Sequence, residues 1–167
     1  MVLDEKTYYE PIKKKLEERF RSMSREFYLE ITASKSFSNK LKRKISEKRN
    51  MIFSFLKEAA PDITGYVETD TLEQLFSWEE EYYFVVAEVK RTTIKLDDIY
   101  QVRKYSELFD ARLTLLVTLE EIPEEIKRLS KVVKQLLSQP DGEKIIIAQF
   151  DPHRNDFREW YPKNPFK

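Results

Sequence analysis

An α/β fold, with a sheet of at least partly parallel strands and helices packed on its faces, is the class this sequence predicts. Three observations carry that reading. After residue 82 the pattern runs strand, helix, strand, helix, strand, an alternation that needs crossover connections and hence parallel pairing. Residues 82–89 are the most hydrophobic stretch of the chain and lack alternating polarity, as a strand buried on both faces does, so this strand is expected at the centre. The 167 residues make about one domain, and a chain of that size buries roughly 70% of its unfolded surface, enough for a core without cross-links.

The elements follow in order. Residues 5–21 place Tyr8, Ile12, Leu16 and Phe20 four apart on one helical face, with Pro11 in the first turns. Residues 27–32 are aromatic and β-branched and read as a strand, followed by a Ser-rich link at 34–38. From 39 to 59, Leu41, Ile45, Ile52, Phe55, Leu56 and Ala59 keep a helical period, which predicts one long amphipathic helix with a cationic flank. Pro61 ends it, and 62–67 read as the next strand. An acidic, turn-rich connection reaches about residue 80, before the central strand. Asp97 is a candidate cap for a helix running to about Phe109, with Ile99, Val102, Tyr105 and Phe109 as its buried arc. Residues 112–118 are a further apolar strand. Pro123 opens a helix bearing Ile126, Leu129, Val133, Leu136 and Leu137, Asp141-Gly142 turns the chain, and 144–150 form the last expected strand. Residues 1–150 thus form one domain, and 151–167 an aromatic, proline-rich tail without a period.

Composition narrows the chemistry. There is no cysteine, one histidine (His153) and two glycines, Gly65 and Gly142. Disulfides, thiolate nucleophiles, zinc ribbons and His-rich metal sites are excluded, as are the glycine-rich phosphate loops of nucleotide-binding folds. What remains is carboxylates, lysines, hydroxyls and amides, a donor set suited to hard cations. Net charge is zero, from 30 basic and 30 acidic residues, but it is unevenly spread. Between residues 33 and 50 lie seven Lys/Arg and one acid, and between 68 and 81 six acids and no base. No apolar run approaches the ~20 residues that span a bilayer. The amino terminus lacks a signal pattern, so a cytoplasmic protein without membrane contact is expected.

The central strand ends in Glu88-Val89-Lys90, where a period of two puts Glu88 and Lys90 on the same face. Taken alone, such a pair can be a strand reaching water, worth ~0–1 kcal/mol. A second carboxylate, Asp62, stands at the start of the preceding strand, where it can equally serve as a turn residue after Pro61. Two carboxylates and the main-chain carbonyl of Val89 make the all-oxygen set that Mg²⁺ prefers, leaving room for water and a phosphate oxygen. A lysine beside them can hold the attacking water or the phosphate, or offset charge in the transition state. Hydrolysis of a phosphodiester fits these residues.

Pro61-Asp62 followed by Glu88-Val89-Lys90 resembles the PD-(D/E)XK signature of the restriction-endonuclease-like nuclease superfamily. The helix after the lysine adds Gln101-Val102-Arg103-Lys104-Tyr105, similar to the QxxxY motif of RecB-like members, with Gln101 and Tyr105 about 40° apart on the helical wheel. The likeness covers roughly residues 5–120. It implies a restriction-endonuclease-like αβββαβ core with a mixed central sheet flanked by helices, and a Mg²⁺- or Mn²⁺-dependent deoxyribonuclease. In that reading Asp62, Glu88 and the Val89 carbonyl hold the metal, Lys90 assists the water, and Gln101 and Tyr105 shape the site or touch substrate. The superfamily often adds a first-helix glutamate; Glu10, Glu17 and Glu18 are available, with Glu10 preferred for its place beside the apolar face.

The cationic segment suits DNA as partner: Lys40, Lys44 and Lys48 are four apart and Arg43 lies beside them, and each neutralised phosphate releases counterions. A solvated helix face is the plain alternative. A catalytically silent nuclease-fold module, binding nucleic acid or a protein, is the second functional reading. The aromatic tail suits either a homodimer contact or packing on its own domain.

Overall fold

A computed structural model describes residues 4–23, 25–69, 81–138 and 145–167. It is an α/β fold with a six-stranded mixed sheet in the order β1-β2-β3-β4-β5-β6. A 3₁₀ turn, Glu5–Tyr8, leads into α1 (Tyr9–Ser22), then β1 (Phe27–Ile31), α2 (Asn39–Lys42), a second 3₁₀ turn (Glu47–Arg49), α3 (Ile52–Phe55) and β2 (Ile63–Glu68). After these come β3 (Tyr82–Lys90), α4 (Leu96–Phe109), β4 (Ala111–Thr118), α5 (Glu124–Val132), β5 (Ile145–Asp151) and β6 (Asp156–Tyr161). The expected acidic connection before β3 and the Asp141-Gly142 turn fall largely or wholly outside the described residues.

Strands β1, β2 and β3 are antiparallel neighbours, β3, β4 and β5 run parallel, and β6 returns antiparallel to β5. β3 is interior, as its unbroken hydrophobicity predicts. Its odd residues Val85, Ala87 and Val89 pack under α1 with Ile12, Leu16 and Phe20. Its even residues Phe84 and Val86 join Leu41, Ile45, Ile52, Leu56, Tyr105 and Phe109 on the other face. Beside that second cluster α4 and α5 cover β4 and β5 through Ile99, Val102, Leu116, Ile126 and Ile147. Glu88 and Lys90, also even, therefore emerge on the α4 face at the carboxyl end of β3.

Several expectations are corrected. Residues 39–59 are not one helix. Ser38 caps α2 by accepting the Leu41 N–H at 3.2 Å, and Ser46 returns to extended backbone (ψ 150°), ending helical continuity. The apolar positions Leu41, Ile45, Ile52 and Leu56 are nonetheless buried, because turns of near-helical pitch keep them on one side. Asp97 does not cap α4: the Asp98 carboxylate accepts the Lys95 N–H at 2.8 Å instead. α5 stops at Val132, so Val133 is exposed while Leu136 and Leu137, on the following turn, are buried. The tail holds a strand, β6, bound to β5, and its Phe157 belongs to the core under α1.

Candidate active site

Antiparallel pairing of β2 with β3, with Ile63 opposite Ala87, brings the residue before β2 beside the last residues of β3. Asp62 Oδ2 accepts the Val89 N–H at 2.7 Å. The end of β1 braces this corner: the Thr32 N–H donates to the Asp62 carbonyl at 2.8 Å, and the Thr32 hydroxyl to the Pro61 carbonyl at 2.6 Å. Asp62 is thus a carboxylate fixed across two strands, with its main chain held by a third.

On β3, Lys90 Nζ donates to Glu88 Oε1 at 3.1 Å and to Gln101 Oε1 at 3.2 Å, and Asp98 Oδ1 lies 3.7 Å away. Gln101 Nε2 donates to the Tyr105 hydroxyl at 3.2 Å. A continuous chain thus runs Glu88, Lys90, Gln101, Tyr105 from the strand onto α4. Tyr105 is fully buried, so it fixes Gln101 from beneath instead of reaching a ligand. Glu88 is only 5% exposed, which removes the reading of a solvated surface pair. Its Oε2 is buried with no hydrogen-bond partner among the described residues.

The first-helix glutamates lie elsewhere. Glu10 and Glu17 both pair with Lys13, at 3.5 and 2.9 Å, and Glu18 pairs with Lys15 at 2.7 Å. Glu10 follows the buried Tyr9 by about 100° round the helix and so turns to solvent. The acid at this corner is Glu5, in the 3₁₀ turn before α1. Its Oε2 accepts the Arg91 N–H at 3.1 Å and its Oε1 the Tyr9 hydroxyl at 3.2 Å. Glu5 lies within the expected helix of residues 5–21 but ahead of Tyr8, the first apolar residue of its period, and was not among the glutamates weighed; its spacing of four from Tyr9 was the available signal.

Electrostatics follow from this burial. Burial, and then the charge of Asp62, push Glu88 up to about 7, against the pull of Lys90. Asp62 is also raised, by burial and by Glu5, while the Val89 N–H, the Tyr9 hydroxyl and Lys90 oppose the rise. The Tyr9 hydroxyl is raised by burial, then by Asp62 and Glu5. Burial works against charge on Lys90, but Glu88, Asp98 and Glu5 outweigh it and leave the ammonium above the ordinary lysine value. Lys90 is therefore a cation at neutral pH, a donor and not a base.

Among the described residues, no three Asp, Glu or His side chains group closely enough to hold a metal by themselves. The donors at this corner are Asp62 and Glu88 together with backbone; Val89 buries its side chain under α1. The cationic segment stands apart. Lys44 Nζ sits over the rings of Tyr66 and Tyr82, at 4.8 and 4.7 Å, and Lys40 Nζ over Tyr28 at 4.2 Å. Tyr82 opens β3 and Glu88 nearly closes it, so Lys44 lies about 20 Å along the strand from the acids. Arg43 and Lys48 are exposed on the same broken segment. No described helix is long and apolar enough to cross a membrane. Comparisons with protein-family models, with curated proteins and with solved structures give no match.

Proposed function

We propose that the protein is a metal-dependent nuclease of the PD-(D/E)XK class that hydrolyses DNA phosphodiester bonds. The observation that carries this reading is the convergence, at one end of β2 and β3, of Asp62, Glu88 and Lys90, with Lys90 held by Gln101 and Gln101 by Tyr105. The succession of α1, an antiparallel β1–β3 meander, α4 and a parallel β4 supports the restriction-endonuclease-like core that goes with it. A cytoplasmic setting belongs to the same proposal.

The donor set suits Mg²⁺ or Mn²⁺. Glu88 Oε2 is buried without a partner among the described residues, and burial, then the charge of Asp62, raise the Glu88 carboxyl; the unpartnered oxygen and the repulsion between the acids are costs that a divalent cation between them removes. Asp62, Glu88 and the Val89 carbonyl would hold it. When bound, such an ion acidifies water and offsets charge on the phosphoryl oxygens.

The protein's own groups do the remaining work. Asp62 is oriented by the Val89 N–H. Lys90, protonated, donates to the attacking water or to a non-bridging oxygen as negative charge builds. Gln101 and Asp98 hold the ammonium where it can do so. Glu5 braces the corner through the Arg91 N–H and Tyr9. The overall reaction adds water across one P–O ester bond.

The experiment is cleavage of plasmid and labelled linear DNA with Mg²⁺ or Mn²⁺. The expected result is cutting by the wild type and a loss of at least ~10²-fold in Asp62→Asn and Lys90→Ala, the scale on which single charge-stabilising groups act. Unchanged cutting in either variant sinks the assignment. Binding without cutting by the wild type favours the silent module.

A further inference from the structure

β3 runs on past the end of β2. The last pair between them is Ile63 opposite Ala87, and beyond it Val89 and Arg91, two residues apart, turn their N–H groups to the side that β2 has left. The other side stays in the sheet, where the Lys90 carbonyl accepts the Leu119 N–H at 3.1 Å. Backbone donors removed from water need acceptors, and two carboxylates supply them. Asp62 Oδ2 takes the Val89 N–H at 2.7 Å, and Glu5 Oε2 takes that of Arg91 at 3.1 Å.

Tyr9 joins these two acids. Its hydroxyl donates to Glu5 Oε1 at 3.2 Å and also hydrogen-bonds the Asp62 carboxylate. A closed loop thus leaves β3 at Val89, passes through Asp62, Tyr9 and Glu5, and returns to β3 at Arg91. The Tyr9 ring is 7% exposed and belongs to the core that holds Ile12, Leu16 and Val89, so packing fixes where the hydroxyl stands. A hydroxyl has one proton to give, and this one faces two carboxylates. Glu5 has both oxygens engaged, and Glu5, Asp62 and Glu88 do not group closely enough to share an ion by themselves. The loop therefore converges on Asp62, the member of it that also faces Glu88.

We infer that Tyr9 is the positioning residue that orients Asp62 toward a metal, and that Glu5 supports Tyr9 without being a ligand. The inference rests on the metal-dependent reading, and it is tested by metal uptake in the absence of DNA. Mn²⁺ is the probe, titrated calorimetrically into the full chain. The wild type is expected to bind and Asp62→Asn to lose the ion. Tyr9→Phe keeps the buried ring and removes only the hydroxyl. It should weaken Mn²⁺ binding roughly 10- to 100-fold, the scale on which a hydrogen bond to a metal-ligating group acts. Glu5→Gln should bind within a few-fold of the wild type: the carboxamide oxygen can accept the Arg91 N–H while its NH₂ donates to the Tyr9 oxygen, leaving the hydroxyl proton to Asp62. Glu5→Ala should weaken Mn²⁺ binding as Tyr9→Phe does, and the double variant no more than either single, since both act through one contact.

Urea midpoints without metal separate positioning from a loss of structure. They should shift little in Tyr9→Phe while Mn²⁺ affinity falls, and Glu5→Ala, at a half-buried site, carries the comparison if Tyr9→Phe is unstable. In DNA cleavage, Tyr9→Phe should need more Mn²⁺ for half-maximal cutting yet reach the wild-type maximum, which Lys90→Ala does not. Equal Mn²⁺ affinity in Tyr9→Phe and wild type overturns the inference and leaves the metal reading standing. A loss in Glu5→Gln as large as in Asp62→Asn also overturns it, since Glu5 is then a third ligand. A wild type that takes up no Mn²⁺ overturns both.

Discussion

Glu88 carries one oxygen on Lys90 and the other on no partner among the described residues, and burial, then the charge of Asp62, raise its carboxyl to about 7 from an ordinary value of 4.5. Because the folded value is the higher one, the unfolded chain gives up this proton first. The Glu88 contribution to stability is therefore whole below about pH 4.5, declines as pH rises to about 7, and is constant beyond. A shift of that size corresponds to ~3 kcal/mol, and Asp62, raised as well, acts in the same direction. Urea melts of the metal-free protein at about pH 5 and about pH 8 are expected to differ by a few kcal/mol in the wild type and by much less in Glu88→Gln. Mg²⁺ at the higher pH should restore the wild type and not the variant. An unaltered pH slope in Glu88→Gln excludes this carboxyl as its source. Thr114 gives a metal-independent contrast: its hydroxyl is fully buried without a partner among the described residues. Thr114→Val should raise the urea midpoint, by ~1 kcal/mol, since it removes an uncompensated polar group at nearly constant volume.

Gly65 sits in the middle of β2, opposite Leu29 on β1 and Val85 on β3. A Cβ there would stand 2.0 Å from the Tyr28 carbonyl oxygen and 2.6 Å from the Leu29 side chain. The oxygen is backbone and cannot swing aside, so Gly65→Ala must push β1 from β2. A loss of ~3 kcal/mol is expected, read as a lowered melting temperature, with the Thr32 brace on Asp62 weakened so that the proposed cleavage falls as well. The same sheet shows what the sequence made legible. Strand β3 and its burial on both faces follow from an apolar run closed by Glu88-Val89-Lys90, because burial imposes one pattern on such a run; that β2 pairs with it and brings Asp62 beside Val89 is a matter of topology, which that run does not encode. The break of residues 39–59 into two short helices and a turn did not follow. Apolar spacing reports which side chains face inward, whereas Ser38, Ser46 and the Arg49 guanidinium, which donates to the Glu107 and Leu108 carbonyls at 3.2 Å, decide where backbone hydrogen bonding stops. Glu5 was missed for a related reason: it lies inside the expected helix of residues 5–21, but in a 3₁₀ turn ahead of Tyr8, where the apolar period that orients the helix begins.

The tail is the part of the molecule that composition described least well. Its aromatic residues have no period because they serve three directions at once: β6 pairs with β5, Phe157 enters the core under α1, and the last residues fold back over α1. Phe150, Phe157, Trp160, Phe166 and Phe20 form a run of adjoining rings with centroids 4.5–5.4 Å apart, joining β5, β6, the carboxyl terminus and α1. α1 in turn supplies Tyr9 to the acidic corner, so the tail holds the helix that helps to hold Asp62. Two roles expected for the tail, a contact with a second copy and packing on its own domain, now make different predictions. If the tail completes this domain, a chain ending at residue 151 uncovers the Ile-rich edge of β5 and loses the Phe157 and Phe166 contacts; it should unfold without a sharp transition and aggregate. Phe157→Ala, a milder test, should cost ~3 kcal/mol while leaving the mass in solution unchanged. If the tail instead joins two copies, sedimentation of the truncated chain should report a smaller particle with an undiminished melting temperature. The ring-to-ring packing onto Phe20 favours the first result and, on the proposed nuclease reading, a loss of DNA cleavage on truncation that adding more Mg²⁺ does not reverse.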